Sequence, residues 1–252
     1  MQAEGCITGY PVSLHILDYG LFRVHANGRV IGICGYLITT SAQERLLVDT
    51  GFPAKYATDP QAASLEDGLD AFGEVLHCAA ENLPAAQLAR AGVAPSEITH
   101  HIVTHSHIDH IGGLHDFPQA PLIVSAVERA LPRPLYWAAC QPITWPARTT
   151  ALIEADTALG PDLDVLLVPG HAPGQLAIAL RLPETGPVML TSDAISRPAE
   201  IDEAFAGSWD AEQALHHALR ITDRAKSTNA KVIYGHCPDQ WATLKKAPHA
   251  YT

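Results

Sequence analysis

The sequence predicts an α/β protein of two mixed β-sheets packed face to face with helices outside, in one domain over residues 1–252. Three observations carry this. Short apolar segments of strand length fall into two groups along the chain. Each group is interleaved with capped helical patterns. A chain of 252 residues, 47% hydrophobic and 17% charged, also buries a sizeable core without disulfides or other staples.

VSLHILDYG (12–20) and GRVIGICGYLITT (28–40) read as strands joined by a turn at Asn27-Gly28. RLLVDTG (45–51) is a short apolar strand ending at Asp49, followed by a glycine turn. LEDGLDAFGEVLHCAAENL (65–83) has helical spacing, interrupted by Gly68 and Gly73. PAAQLARAGV (84–93) is a helix between Pro84 and Gly92. ITHHIVTH (98–105) is a strand, and APLIVSAVERAL (120–131) a strand followed by a helix. Residues 132–150 show little regular pattern. DVLLVPG, QLAIALRL and GPVMLTSD form the second strand group. WDAEQALHHALRITDRAK is an amphipathic helix with Ser208 or Asp210 near its N-cap, and AKVIYGH is the last strand.

Charge narrows the function. A net charge of −11 argues against nucleic acid and against an anionic membrane surface. Five scattered cysteines without a CxxC pair read as reduced thiols. The N-terminus lacks a basic start and an apolar stretch, and no apolar run reaches membrane-spanning length. The expectation is a cytoplasmic protein, monomeric or homodimeric.

Fourteen histidines are present, and THSHIDHIGG (104–113) concentrates three of them with an aspartate. His105 and His107 lie two apart on extended chain, so both imidazoles face the same way and reach one metal. Asp109 and His110 follow where the chain leaves the strand, and are placed to serve a second metal. Three more apolar strands end in a polar residue: His171 in LLVPGHAPG, Asp193 in VMLTSD and His236 in VIYGHCP. A strand end is rigid and opens to solvent just beyond it, which suits a catalytic ligand. A hydrogen-bonded histidine cluster without metal is the competing reading, and three further strand-end ligands count against it. A closed structural zinc site would be cysteine-rich. Imidazole and carboxylate donors favour zinc, with iron, manganese or cobalt as alternatives. The other nine histidines, His101 and His115 among them, fit no ligand pattern.

HxHxDH with Gly-Gly, then the PGH histidine, the strand-end aspartate and the late histidine, resembles the metallo-β-lactamase superfamily over nearly the whole chain. The resemblance implies a four-layered αβ/βα sandwich with a dinuclear site between the sheets. It implies that His105, His107 and His171 hold one zinc, that Asp109, His110 and His236 hold the other, and that Asp193 bridges them. Asp49 matches the aspartate that orients a ligand. It further implies hydrolysis by a metal-bridging hydroxide.

Among the branches, the N-acyl homoserine lactonases fit best, in length and in the 43-residue spacing from Asp193 to His236. The implied activity is opening of a lactone ring, quorum-quenching lactones included, with Asp109 also carrying a proton. The alternatives are another ester or thioester, as in glyoxalase II, a β-lactam, or a non-catalytic metal sensor. Exported β-lactamases lack the bridging aspartate, and only 16 residues follow His236, too few for a glutathione-binding region. One departure stands out. Lactonases place a tyrosine three residues after the bridging aspartate, and Ser196 stands there. Ser196, Tyr136, Trp137 and Trp145 are the expected substrate contacts, the aromatics lining an acyl groove.

Overall fold

A computed structural model of the chain describes residues 2–252. Strands β1 (Pro11–Val24) and β2 (Val30–Thr40) form a long hairpin. Its turn uses Gly28 at φ +68°, whose N–H donates to the Val24 carbonyl at 2.9 Å. β3 (Arg45–Val48) pairs antiparallel with β2. After α1 (Pro60–Asp67), β4 (Gly73–His77) pairs with the end of β1. Then come α2 (Pro84–Arg90), β5 (His100–Ile102), β6 (Leu122–Ser125), α3 (Ala126–Ala130) and β7 (Thr150–Ile153). β3, β5, β6 and β7 run parallel.

The second sheet takes β8 (Thr157–Gly160), β9 (Leu163–Leu167), β10 (Leu176–Leu182) and β11 (Gly186–Leu190), and after α4 (Ala211–Thr228) also β12 (Lys231–Ile233). α5 (Pro238–Trp241) follows, and β13 (Ala250–Tyr251) returns to the first sheet beside β1. Among the described residues, no helix is long and apolar enough to cross a membrane.

Period-two alternation sorts the side chains into layers. Leu46 and Val48 of β3 and Val188 and Leu190 of β11 share the core between the sheets. Leu47 faces the opposite way, into a core with Phe52, Tyr56 and Leu88 under the first helices. Met189 faces Ile221 and Ala225 of α4 on the outer side of the second sheet. Helix, sheet, sheet and helix therefore stack as four layers.

Two expectations are corrected. The helical spacing of residues 65–83 does not give one helix. Gly68, at φ 71°, ends α1 in the left-handed conformation. Gly73 then starts a strand, where any Cβ would lie 2.2 Å from the Arg23 carbonyl. Residues 132–150 have little regular pattern, yet Thr150 opens β7, and residues 151–160, for which the sequence predicts no element, complete β7 and supply β8.

His101, on β5, is buried; Arg148 Nη2 donates to its Nδ1 at 2.9 Å, and the ring meets the edge of Phe117. Burial, with Arg148 beside it, lowers the His101 pKa to about 3. An unfolded histidine titrates near ~6.5, so between these values the unfolded chain binds more protons. The stability from neutral His101 is complete above pH ~6.5 and is lost as pH falls toward 3, by on the order of a few kcal/mol. Urea unfolding of metal-free protein from pH 7 to 4.5 is expected to show a shallower pH slope in His101→Gln than in the wild type. Equal slopes would contradict this.

Candidate metal centre

The seven strand-end groups meet at one edge of the sandwich. His105 and His107 follow β5, His171 follows β9, Asp193 follows β11, and His236 follows β12. The THSHIDHIGG loop is pinned to the loop after β3: Thr50 N–H donates to the His110 carbonyl at 2.8 Å, and Gly112 N–H to that of Gly51 at 2.7 Å. Gly112 permits this approach, because a Cβ there would lie 2.1 Å from the Phe52 backbone.

Three groups of donor atoms each converge within 4.8 Å: His105, His107 and His171; Asp109, His110 and His236; and His105, His110 and Asp193 between them. His105 Nε2 is 3.0 Å from His107 Nδ1, which is 3.1 Å from His171 Nε2. Tetrahedral zinc with bonds of about 2.0–2.1 Å places its ligand nitrogens roughly 3.3–3.4 Å apart, close to this spacing. Asp193 lies between the two sets. Its Oδ2 is 3.4 Å from His171 Nε2, and its Oδ1 is 3.5 Å from His110 Nε2 and 3.1 Å from His236 Nε2. Asp109 Oδ2 completes the second set, 3.4 Å from His236 Nε2.

Two atoms test whether a metal fits. His110 Nε2 and Asp193 Oδ1 are buried without a hydrogen-bond partner of proper alignment. Such atoms are costly unless a cation satisfies both. Their neighbours fix the ligand nitrogens. Asp49 Oδ2 holds His110 Nδ1 at 2.8 Å, and Asp49 accepts from Thr104 N–H at 2.8 Å and Thr104 Oγ at 2.7 Å. His236 Nδ1 donates to the Gly32 carbonyl at 2.9 Å. Each leaves Nε2 aimed into the cluster.

The two sets differ electrostatically. Burial, with His171 close by, drops the His107 pKa to about 3, and burial holds His105 well below the usual range. For His236 burial acts downward too, but Asp193 and Asp109 outweigh it and raise the pKa to about 9. At neutral pH, cation binding at the second set therefore displaces protons.

Glu128 belongs to the site although no local pattern in the sequence marks it. It is fully buried on α3. Its Oε2 accepts from Ser106 N–H at 3.2 Å and from the Ser106 hydroxyl, and its Oε1 from Gly174 N–H at 3.3 Å. One carboxylate thus ties the His105–His107 segment to the loop bearing His171. Burial raises its pKa, while the Ser106 and Gly174 bonds act in the opposite direction. Glu128→Ala is expected to weaken zinc binding about 10–100-fold, with Glu128→Gln between it and the wild type. Competition with a chromophoric chelator measures this, and unchanged affinity in Glu128→Ala would contradict it.

A cleft of about 600 Å³ opens onto the cluster. Phe22, Ile31, Phe52, Leu69, Phe72 and Trp137 form its apolar wall. Asn27 and Arg29 at the β1–β2 turn, and Ser196, Arg197 and Glu200 beyond β11, add polar groups to the lining. Two expected contacts lie outside the lining. Tyr136 is buried, and its hydroxyl donates to Asp67 at 2.7 Å. Trp145 donates its indole N–H to the Leu131 carbonyl at 3.0 Å and packs against Arg129. Ser196 reaches the lining, and its carbonyl accepts from His236 N–H at 2.9 Å.

Two sheets with outer helices and a histidine–carboxylate cluster at their edge define a class. The family description "Metallo-beta-lactamase superfamily" matches residues 35–236, and the chain belongs to that superfamily. The chain is 30% identical over 218 residues to the N-acyl homoserine lactonase AiiA of Bacillus thuringiensis subsp. kurstaki, covering 84% of each chain. It is 27% identical over 229 residues to the N-acyl homoserine lactonase AttM of Azorhizobium caulinodans, covering 86% of each. Among solved structures, it superimposes on an N-acyl homoserine lactone hydrolase with N-hexanoyl-L-homoserine bound at its catalytic metal centre. The TM-score is 0.82 at 26% identity, over 97% of this chain and 100% of that one.

Proposed function

We propose that this chain is a dinuclear-metal-dependent hydrolase that opens lactone rings. The observation that carries the reading is Asp193, whose two oxygens face two separate donor sets on the floor of a half-apolar cleft. His105, His107 and His171 would hold one metal, Asp109, His110 and His236 the other, and Asp193 would span them. The donor chemistry favours zinc. When bound, the metals lower the pKa of water to near 7 and polarise the carbonyl.

The protein's own groups orient and protonate. The apolar wall takes the acyl arm and keeps bulk water from it. Asp49 and the Gly32 carbonyl fix His110 and His236 in one tautomer. Asp109, the more exposed of the two cluster carboxylates, faces the cleft. It accepts the proton released as water adds to the carbonyl and returns it to the ring oxygen as the carbonyl carbon–oxygen bond breaks. A neutral alcohol on the product is a poor nucleophile, so the ring does not reclose.

Ser196 stands at the position where the lactonases carry a tyrosine. Its hydroxyl is too short to reach where a phenol would, so carbonyl stabilisation falls to the metals and the cleft. A hydrolysis screen of zinc-loaded protein tests the reading, with N-acyl homoserine lactones, simple lactones, thioesters and β-lactams. Lactones are expected to be opened fastest. Preference for a thioester or β-lactam would overturn the assignment.

A further inference from the structure

Ten of the chain's eleven arginines end on a hydrogen-bond, ion-pair or aromatic partner. Arg29 does not. Among the described residues nothing hydrogen-bonds or ion-pairs with its guanidinium, and its Nε is buried without a partner. Arg29 also lines the cleft with Asp193, His171 and His236. Its backbone is fixed on both sides: the N–H donates to Asn27 Oδ1 at 3.0 Å, and the carbonyl accepts from Val24 N–H at 2.9 Å. The base of the side chain is therefore held at the β1–β2 turn while its head is free.

The charged neighbours do not satisfy it. Arg197 adds positive charge beside it. Glu200 Oε2 takes the N–H groups of Ser196 and Arg197, and Glu203 Oε2 takes the Arg197 guanidinium; both carboxylates favour the charged form of Arg29, but neither hydrogen-bonds or ion-pairs with it. A partly buried, unpaired guanidinium is costly, and the cost is recovered when an oxyanion meets its planar fork. A cleft built for a purely aliphatic arm has no use for such a group. On a chain of net charge −11, anions are repelled at a distance, so a local cation is needed to receive one.

We propose that Arg29 receives a carboxylate borne by the substrate, so that the preferred lactones carry an anionic arm. This rests on the lactone-hydrolase reading and adds the substrate class. The test compares N-hexanoyl and N-adipoyl homoserine lactone, arms of equal length that end in a methyl and a carboxylate. Shorter butanoyl/succinyl and pentanoyl/glutaryl pairs cover the reach of the site.

Wild-type protein is expected to favour the carboxylate-bearing member of at least one pair about 10–100-fold in kcat/KM, the range of a charge-assisted hydrogen bond. In Arg29→Met that ratio is expected to fall to about one, and in Arg29→Lys, which keeps charge but loses the fork, to an intermediate value. Thermal melting checks that both variants fold. Equal wild-type turnover within every pair, or a preference that survives in Arg29→Met, would overturn the proposal and leave lactone hydrolysis standing. Failure to open either member of any pair, and any simple lactone, with two zinc ions bound, would overturn the lactone-hydrolase reading itself.

Discussion

Asp193→Ala is expected to lower kcat/KM on lactones by at least about 10³-fold and to reduce bound zinc from two per chain to one or fewer. Asp193 places one oxygen against each donor set, with His171 on one oxygen and His110 and His236 on the other. Without it, His236 loses the carboxylate that does most to outweigh its burial, and His110 keeps Asp109 but loses the second of the carboxylates that favour its charged form. Three imidazoles then face one another with less to hold them, so the metal-free protein is expected to melt lower as well. Elemental analysis, steady-state kinetics and thermal melting check the three parts. His115→Ala is the control. His115 is exposed and bonds the Thr144 carbonyl at 2.9 Å, away from the cluster, and its loss is expected to change stability by less than ~0.5 kcal/mol. Equal effects of the two substitutions would show that the histidines have been partitioned wrongly.

The second large effect is expected for Asp109→Asn. An asparagine oxygen can still face His236, but the amide neither accepts nor returns a proton at neutral pH. Loss of a positioned general acid–base group costs about 10²–10⁴-fold, and the loss should fall on kcat with KM nearly unchanged. That split separates a proton carrier from a binding group. A rise in KM with kcat preserved would assign Asp109 to substrate binding instead. Zinc content is measured alongside, because a loss of metal would lower kcat for a different reason.

The parts of the site that are legible in the sequence are contiguous or stand at strand ends. HSHIDH is read directly because spacing on extended chain fixes which imidazoles share a direction. His171, Asp193 and His236 are legible because each ends a recognisable apolar strand. Glu128 is not, since its partners Ser106 and Gly174 lie 22 and 46 residues away and only the fold brings them together. Arg29 looks like any other arginine until the ten paired ones are set aside.

Tyr136 and Trp145 fail for a different reason. Residues 132–149 have no periodicity, so nothing in the sequence says which way an aromatic points. There the polar tips of both rings find buried or backbone acceptors, Asp67 and the Leu131 carbonyl. The misread segment from 65 to 83 shows local spacing overridden by two glycines. One caps a helix, and the other lets a strand approach β1 closely.

In the proposed function, two metals held by two donor sets sharing Asp193 together open a lactone. Stepwise zinc titration of metal-free protein, with lactone hydrolysis assayed at each addition, tests it most directly. Turnover is expected to climb to a plateau at two zinc ions per chain. A plateau at one, or two bound zinc ions with no lactone opened, would contradict it.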